Sequence, residues 1–314
     1  MVGKYYMAKT TESFVSVILL NWNQPHFTVA CLKSLDLATY PNFEVIVVDN
    51  GSKDDSLAQL EKLAPELKFK LTLIANEKNQ GFAEGNNVGI RVAMKNGADY
   101  VLLLNNDTEV DPGFIEPLVR MAESNPTIGI TGPKIFYFDD PKRIWSAGGI
   151  FTPAGWTEQL GVNAEDGPEF NQLKKVDYVS GCAMLVKRAV IEKAGMLDPR
   201  FFIYYEETDW CARTAKAGFT IWYVPQSVLW HKISLKARDL SPTYVYLMTR
   251  NRLLFIRNLG KSPLRVLLSL IAVDVRTVLA WSVWPRHKQA RPLRRWRIRG
   301  MLHYLQGRFG EPRL

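Results

Sequence analysis

Four short apolar runs, separated by segments of helical character, constrain this chain more than any other feature. Residues 14–20 (FVSVILL), 43–48 (FEVIVV), 71–75 (LTLIA) and 101–104 (VLLL) are rich in β-branched residues and continuous enough to read as strands buried on both faces. Between them, residues 27–38, 52–64 and 84–96 carry apolar positions at helical spacing. Ser52 with Asp55 gives a capping-box-like start, Gly97 a stop, and Asp111-Pro112 opens a fourth helix with Asp as N-cap. Strand–helix alternation of this kind implies a parallel α/β sheet with right-handed crossovers. Ligands of such sheets collect at the carboxyl ends of the strands.

From about 128 to 235 the pattern changes to short strands (128–138, 176–187, 219–224) and one clear helix near 205–217. Beyond 236, Ser241-Pro242 and Ser262-Pro263 each read as an N-cap followed by proline. The first helix closes at Gly260 and the second runs to about Trp284. The reading is therefore a catalytic unit over 14–235, with halves at about 14–127 and 128–235, and a helical basic region over 236–314. Length alone allows this, since 314 residues suit one large domain with an appendage or two modest ones.

Charge divides along the same line. Residues 236–314 hold 17 Lys/Arg against 3 Asp/Glu, a net +14, whereas 1–235 hold 23 against 28, a net −5. A basic tail on a mildly acidic body is expected to meet an anionic surface, either nucleic acid or lipid headgroups. Cys31, Cys182 and Cys211 are scattered without a CxxC pair, which suits a reducing compartment. The opening MVGKYYMAKT has no apolar core of a secretory signal, so a cytosolic location is expected.

Chemistry-bearing residues follow the strands. Asn21-Trp22-Asn23 comes after the first run and Asp49-Asn50-Gly51-Ser52 after the second. A carboxylate at Asp49 can accept the N3–H of uracil or thymine, which cytosine lacks; a βα turn uses Asx-Gly equally well. Residues 79–87 (NQGFAEGNN) put Gly81, Gly85 and the Asn86-Asn87 amides at a helix start, where a phosphate or ribose can approach the backbone. They make neither a GxGxxG nor a P-loop. Asn105-Asn106-Asp107 follows VLLL, and an acidic group there is costly unless it binds a cation or is solvated. Mg²⁺ and similar ions take one or two protein carboxylates and let diphosphate oxygens complete the shell. Further on, Glu206, Glu207 and Asp209 crowd beside Phe201, Phe202, Tyr204, Tyr205 and Trp210. There, repulsion and desolvation can raise a carboxyl pKa, or the acids can simply suit a helix start. His231 ends a strand-like stretch.

The order of NWN, VVDNGS, NQGFAEGNN, LLLNNDTEVDPGF, SGCAMLVKR, FFIYYEETDWCAR and a later histidine closely resembles glycosyltransferase family 2, nearest its bacterial rhamnosyltransferase-like branch. The resemblance covers roughly 14–235, and Arg250-Asn251 in YLMTRNRLLF also fits it. It implies a GT-A fold: Rossmann-like α/β, with a mostly parallel central sheet and here a C-terminal helical extension. It also implies a pyrimidine-diphosphate sugar donor, a divalent Mg²⁺ or Mn²⁺, and inversion at the anomeric carbon.

By the same resemblance Asn21, Asn23, Asp49, Gly81, Asn86, Asn106 and Asp107 fall on the donor side. Asp107 and His231 would hold the metal, and Gly181, Cys182, Glu206 and Asp209 lie on the acceptor side. Glu207 takes the catalytic-base position, with Asp209 the reserve candidate because local spacing alone does not separate them. Two departures stand out: Glu207 replaces the usual Asp, and Asn105 stands where the first Asp of a DXD motif would be.

The resemblance favours dTDP-rhamnose, with UDP-sugars sharing the base contact, and a lipid-linked or polysaccharide acceptor. A processive synthase of the same family needs a QxxRW motif, and here Pro292 precedes Arg295-Trp296 where Gln should stand. A pyrophosphorylase would want a glycine-rich basic loop that VSVILLNWN lacks. A basic-tailed nucleic-acid binder without transferase activity is the remaining alternative, and it leaves the ordered acidic motifs without a use.

For the tail, Arg265, Asp274 and Arg276 interrupt the apolar stretch 264–284, and a central charge costs roughly 2.5–3.5 kcal/mol on insertion scales. Arg265, Ser269 and Arg276 share one face at helical spacing, so peripheral attachment to the inner face of the cell membrane is expected. A helical cap on the catalytic unit or a homo-oligomer interface would use the same residues.

Overall fold

The computed structural model describes residues 12–152, 156–233 and 241–312. The opening decapeptide and the boundary expected at 235/236 lie outside the described residues.

The four apolar runs are strands: β1 (Val15–Asn21), β2 (Phe43–Asp49), β3 (Lys70–Ala75) and β4 (Tyr100–Asn105), but β3 is not buried on both faces as expected, because it forms the sheet's edge and stays partly exposed. Helices α1 (Pro25–Leu35), α2 (Ser56–Leu63) and α3 (Gly81–Lys95) connect them. The four strands lie parallel in the order β3-β2-β1-β4, with Asn21 directly across from Asp49. After β4 come a short β5 (Thr108–Val110), α4 (Ile115–Ser124) and the long β6 (Ile128–Tyr137). Strands β7 (Ile144–Ser146), β8 (Gly149–Phe151), β9 (Thr157–Gln159), β10 (Lys174–Val176) and β11 (Ala183–Lys187) follow. Then come α5 (Arg188–Ala194), α6 (Glu206–Lys216) and β12 (Thr220–His231). Strand β11 inserts antiparallel between β4 and β6, and β12 runs parallel to β6. One sheet of order β10-β12-β6-β11-β4-β1-β2-β3 results. Its alternate faces bury two separate apolar clusters, one including Leu19, Leu32, Val47, Leu104 and Phe114, the other Ile18, Ile46, Leu103, Ile130 and Trp210.

Several boundaries differ from the sequence reading, each for a local reason. Ser52 does not cap α2, which starts at Ser56; its hydroxyl and backbone N–H are spent on the Asp49 carboxylate instead. Asp111 does not open α4 either: its Oδ1 accepts from Gly113 N–H in a tight turn, and the helix begins at Ile115. The run 176–187 is two strands parted by a turn at 177–182, because Gly181 lets the chain pass close to α6. Strand β12 continues past 224 through a bulge between Val224 and Val228, which carries His231 to the sheet's end.

The C-terminal region supplies α7 (Pro242–Asn258), α8 (Pro263–Ser269), a π-helical stretch at Leu270–Val275, α9 (Arg276–Val283) and α10 (Arg294–Leu305). Ser241 and Ser262 cap as expected, accepting from the N–H groups of Tyr244 and Arg265. Leu254 and Phe255 of α7 bury against Phe201 and Tyr205, so this helix completes the wall beside α6.

Candidate active site

The carboxyl ends of β1, β2 and β4 meet in one hydrogen-bonded cluster. Asn21 Nδ2 donates to Asp49 Oδ2 at 2.8 Å, and Ser52 binds both carboxylate oxygens. Thr28, on α1, donates to Asn21 Oδ1 at 2.7 Å and accepts from Asn106 Nδ2 at 2.9 Å. A single hydroxyl thereby ties the tip of β1 to the turn after β4. Asp49 is 2 % exposed, and its Oδ1 keeps a lone pair beyond the Ser52 bond. Asn23 is exposed, left-handed at φ 53°, and accepts from Lys53 N–H.

Asn50 organises the glycine-containing loop. Its amide donates to Asn79 Oδ1 and the Gly81 carbonyl and accepts from Asn76 and from Gln80 N–H. Gly81 has φ +80°, and a Cβ there would lie 2.5 Å from the Phe202 ring, so only glycine fits. Asn86 is buried inside α3 and donates back to the Phe82 carbonyl.

Asp107 hydrogen-bonds His231 Nε2 through Oδ1 at 3.1 Å, joining the turn after β4 to the end of β12. Burial pushes the Asp107 carboxyl up, but the hydrogen bond and charge of His231, with Lys232, outweigh it and hold the group below the usual carboxylate range. His231 is 5 % exposed, stands edge-on to Trp145, and its Nδ1 is buried without a partner. Among the described residues no cluster of three His, Cys, Asp or Glu side chains forms a complete metal cage. Two protein ligands with an orphaned imidazole nitrogen still match an ion whose other positions are filled by diphosphate and water.

A cavity of about 750 Å³ opens beside this pair. Gly181, Cys182, Glu206, Glu207 and His231 line it together with Asn105, Tyr178 and Tyr205, while Tyr244 and Met248 of α7 close one side. Asn21, Asn23, Asp49, Gly81, Asn86, Asn106, Asp107 and Asp209 are not among its lining residues; Asp107 reaches it through His231.

Glu206 and Glu207 open α6, and each has a buried carboxylate oxygen without a hydrogen-bond partner. Burial pushes the Glu207 carboxyl up, partly offset by backbone N–H groups of Glu207 and Thr208. Glu206 is pushed well up by burial and then by the charge of Glu207. Gly181 leaves room for Glu207, whose Cβ would lie 3.2 Å from a Cβ added there. Asp209 points elsewhere: it binds Arg213 Nε at 2.6 Å and accepts from Asn258 at 2.7 Å, a structural pairing of α6 with α7. Burial pushes the Cys31 thiol up to about 12 and Cys182 well above its ordinary range, so neither is a thiolate nucleophile.

The loop that delivers Glu207 is the part sequence reasoning missed. Phe202, Tyr204 and Tyr205 all have positive φ (67°, 72° and 73°) without being glycine. Asn251 of α7 holds them, its Nδ2 lying 2.8–2.9 Å from the carbonyls of Phe201, Ile203 and Tyr204. Arg250 adds bonds to the Phe201 and Gly310 carbonyls. The Arg-Asn pair was visible in the sequence, but nothing local shows that a helix 40 residues downstream clamps this loop.

The sequence profile of glycosyl transferase family 2 matches residues 16–195. A dTDP-rhamnosyl transferase, RfbF, of Shigella flexneri is 28% identical over 73% of this chain and 75% of its own length. An N-acetylglucosaminyl-diphospho-decaprenol L-rhamnosyltransferase of Mycobacterium tuberculosis is 29% identical over 70% of this chain and 79% of its own. Among solved structures, the mannosyltransferase PcManGT of Pyrobaculum calidifontis, in complex with GDP-Man and Mn²⁺, superposes with a TM-score of 0.59 at 15% identity, over 95% of this chain and 88% of that one. S. aureus TarS 1–349 in complex with UDP-GlcNAc also gives 0.59 at 15%, over 93% and 81%. These likenesses establish a GT-A fold here, with its curled, mostly parallel sheet.

Proposed function

The chain belongs to glycosyl transferase family 2 and is a glycosyltransferase with rhamnosyltransferase relatives; on that premise we propose that it inverts a sugar from a dTDP or UDP donor, dTDP-rhamnose favoured, onto a lipid-linked or polysaccharide hydroxyl. The observation that carries the reading is the single cavity in which His231, bonded to Asp107, and Glu207, with one carboxylate oxygen buried, share a wall. Asp49, held by Asn21 and Ser52, receives the pyrimidine N3–H on its spare lone pair; Asn106, Gly81 and Asn86 shape the donor side around it. Asp107 and His231 would hold Mg²⁺ or Mn²⁺, which when bound would supply neutralisation of the charge on the departing diphosphate. Glu207 accepts the acceptor proton as that oxygen attacks the face opposite the diphosphate, and one displacement inverts the carbon. Glu206 stands beside Glu207 on the acceptor side of the cavity. Gly181 and Cys182 form the acceptor-side floor.

Residues 14–127 then serve the donor, 128–235 the acceptor, and 236–314 closes the cavity and meets the inner membrane surface. A nucleic-acid-binding role is not favoured, because it has no use for the Asp107–His231 pair or the buried glutamates. The test is nucleoside-diphosphate release across a panel of dTDP-, UDP-, CDP- and GDP-sugars with Mg²⁺ or Mn²⁺. Turnover with dTDP or UDP donors is expected. Equal turnover with CDP-sugars would overturn the Asp49 role, and release from none would overturn the reading.

A further inference from the structure

The helix spanning Pro263–Val283 is long and apolar enough to cross a membrane, yet only 17% of its most apolar stretch is buried. Apart from the exposed Arg265 and Arg276, its polar groups are partly or fully buried. Asp274 is fully buried and paired with Arg252 and, at 2.7 Å, with Arg297. Ser269 turns inward and accepts from Arg252 at 2.7 Å, so it does not share the outer face with Arg265 and Arg276 as its spacing suggested. Thr277 and Ser282 donate to the carbonyls of Val273 and Val278 one turn back. Outward stand Leu264, Leu267, Leu268, Ile271, Leu279 and Val283, each 47–67% exposed. A continuous apolar face of this kind marks a partner.

At the end of this face α9 and residues 285–293 enclose a groove of about 500 Å³. Arg276, Arg286, His287, Trp281 and Trp284 line it, with no acidic residue. The Arg286 guanidinium lies 4.2 Å over the Trp284 ring, and neither Arg276 nor Arg286 has an ion-pair partner among the described residues.

We propose that the outer face of this helix lies lengthwise in the headgroup–acyl boundary of an anionic bilayer, and that the groove binds the phosphate of a lipid in that layer. A second copy is a poor occupant, because it would bring two regions of net +14 together. A spanning orientation would pull Asp274 out of its two arginine partners and leave charge uncompensated on both sides. The amphipathic side facing lipid and the unpaired arginines beside tryptophan match an interfacial helix. Helix α7 links this face to the cavity, carrying Tyr244 and Met248 into the cavity wall and Arg252 into the Asp274 pair. The lipid layer thus lies one helix away from the acceptor site. This rests on the transferase reading and names the surface on which its lipid-linked acceptor is met.

The experiment uses the full chain with vesicles of phosphatidylcholine, with and without phosphatidylglycerol, in flotation. Binding to the anionic vesicles at about 0.1 M salt is expected. The double variant L268E/L279E should lower the bound fraction about tenfold, and R276A/R286A should erase most of the preference for anionic vesicles. Transfer to a short soluble acceptor should stay within about twofold of wild type in both, which separates this proposal from the activity itself. Absence of vesicle binding, or variants that bind like wild type, would overturn it. So would resistance to alkaline carbonate extraction, which indicates a span, or a dimer lost in L268E/L279E, which indicates a second copy. Competition by inorganic phosphate without vesicle binding would show a free-anion site and likewise overturn it.

Discussion

Replacing Asn251 should damage catalysis from a distance. Its amide serves three buried carbonyls of the loop that ends in Glu206-Glu207. That loop holds three non-glycine residues in the left-handed region, each costing roughly 1–2 kcal/mol, so about 3–6 kcal/mol of strain is stored beside the base. A buried carbonyl left without a donor costs about 1–3 kcal/mol, so losing the clamp removes an amount comparable with the strain it opposes. In N251D the side chain keeps its size but presents oxygen to oxygen, which adds repulsion. Arg250 still holds the Phe201 carbonyl, and Phe201 and Tyr205 remain packed, so the loop should shift rather than unfold. A base displaced by an ångström costs on the order of 100-fold, and a partial displacement about 10–100-fold in kcat. Asp49 ends β2 and Asp107 lies in the turn after β4, away from this loop, so dTDP or UDP affinity should move less than about twofold. Steady-state kinetics with a nucleotide titration and thermal melting measure all three. A folded N251D or N251A enzyme with wild-type kcat would refute the reasoning.

The pH profile should show an acidic limb above the ordinary glutamate range, because burial raises Glu207 and the base must be ionised. A raised carboxyl pKa contributes stability fully present below its unfolded value and lost as pH rises through the folded one. E206Q should therefore lose less melting temperature than wild type as pH rises above the ordinary glutamate range, and an equal loss would show that burial does not raise Glu206. D107N should abolish Mg²⁺- or Mn²⁺-dependent turnover while leaving the melting temperature nearly unchanged, since its carboxylate is partly exposed and, among the described residues, its side-chain hydrogen bond is to His231. Full activity after EDTA treatment would remove the metal assignment.

Much of this was written in the chain. The apolar runs dictated β1 to β4, although β3 at the sheet's edge is only partly buried, and because parallel strands end together, Asn21, Asp49 and Asn105 could be placed at one edge. Glu206 and Glu207 at a helix start were likewise legible. Side chains reserved for neighbours were not. Ser52 reads as a cap but serves Asp49, and Asp209 reads as a candidate base but pairs with Arg213 and Asn258. Pairings between residues far apart in sequence, such as His231 with Asp107 or Asn251 with the 201–204 carbonyls, leave no local signature. Asp274 lies in a π-helical stretch, Leu270–Val275, whose phase 3.6-residue spacing does not anticipate.

The most direct test of the account is single-turnover transfer by E207Q, measured beside E206Q and D209N with donor affinity for each. Glutamine keeps the shape and backbone contacts of Glu207 but cannot take a proton, and loss of a general base typically costs on the order of 10²–10⁴ in rate. The account expects that fall in E207Q with donor affinity unchanged, a smaller fall in E206Q, and in D209N mainly a loss of stability through Arg213 and Asn258. An E207Q enzyme within about tenfold of wild type would contradict the assignment of Glu207 as the base.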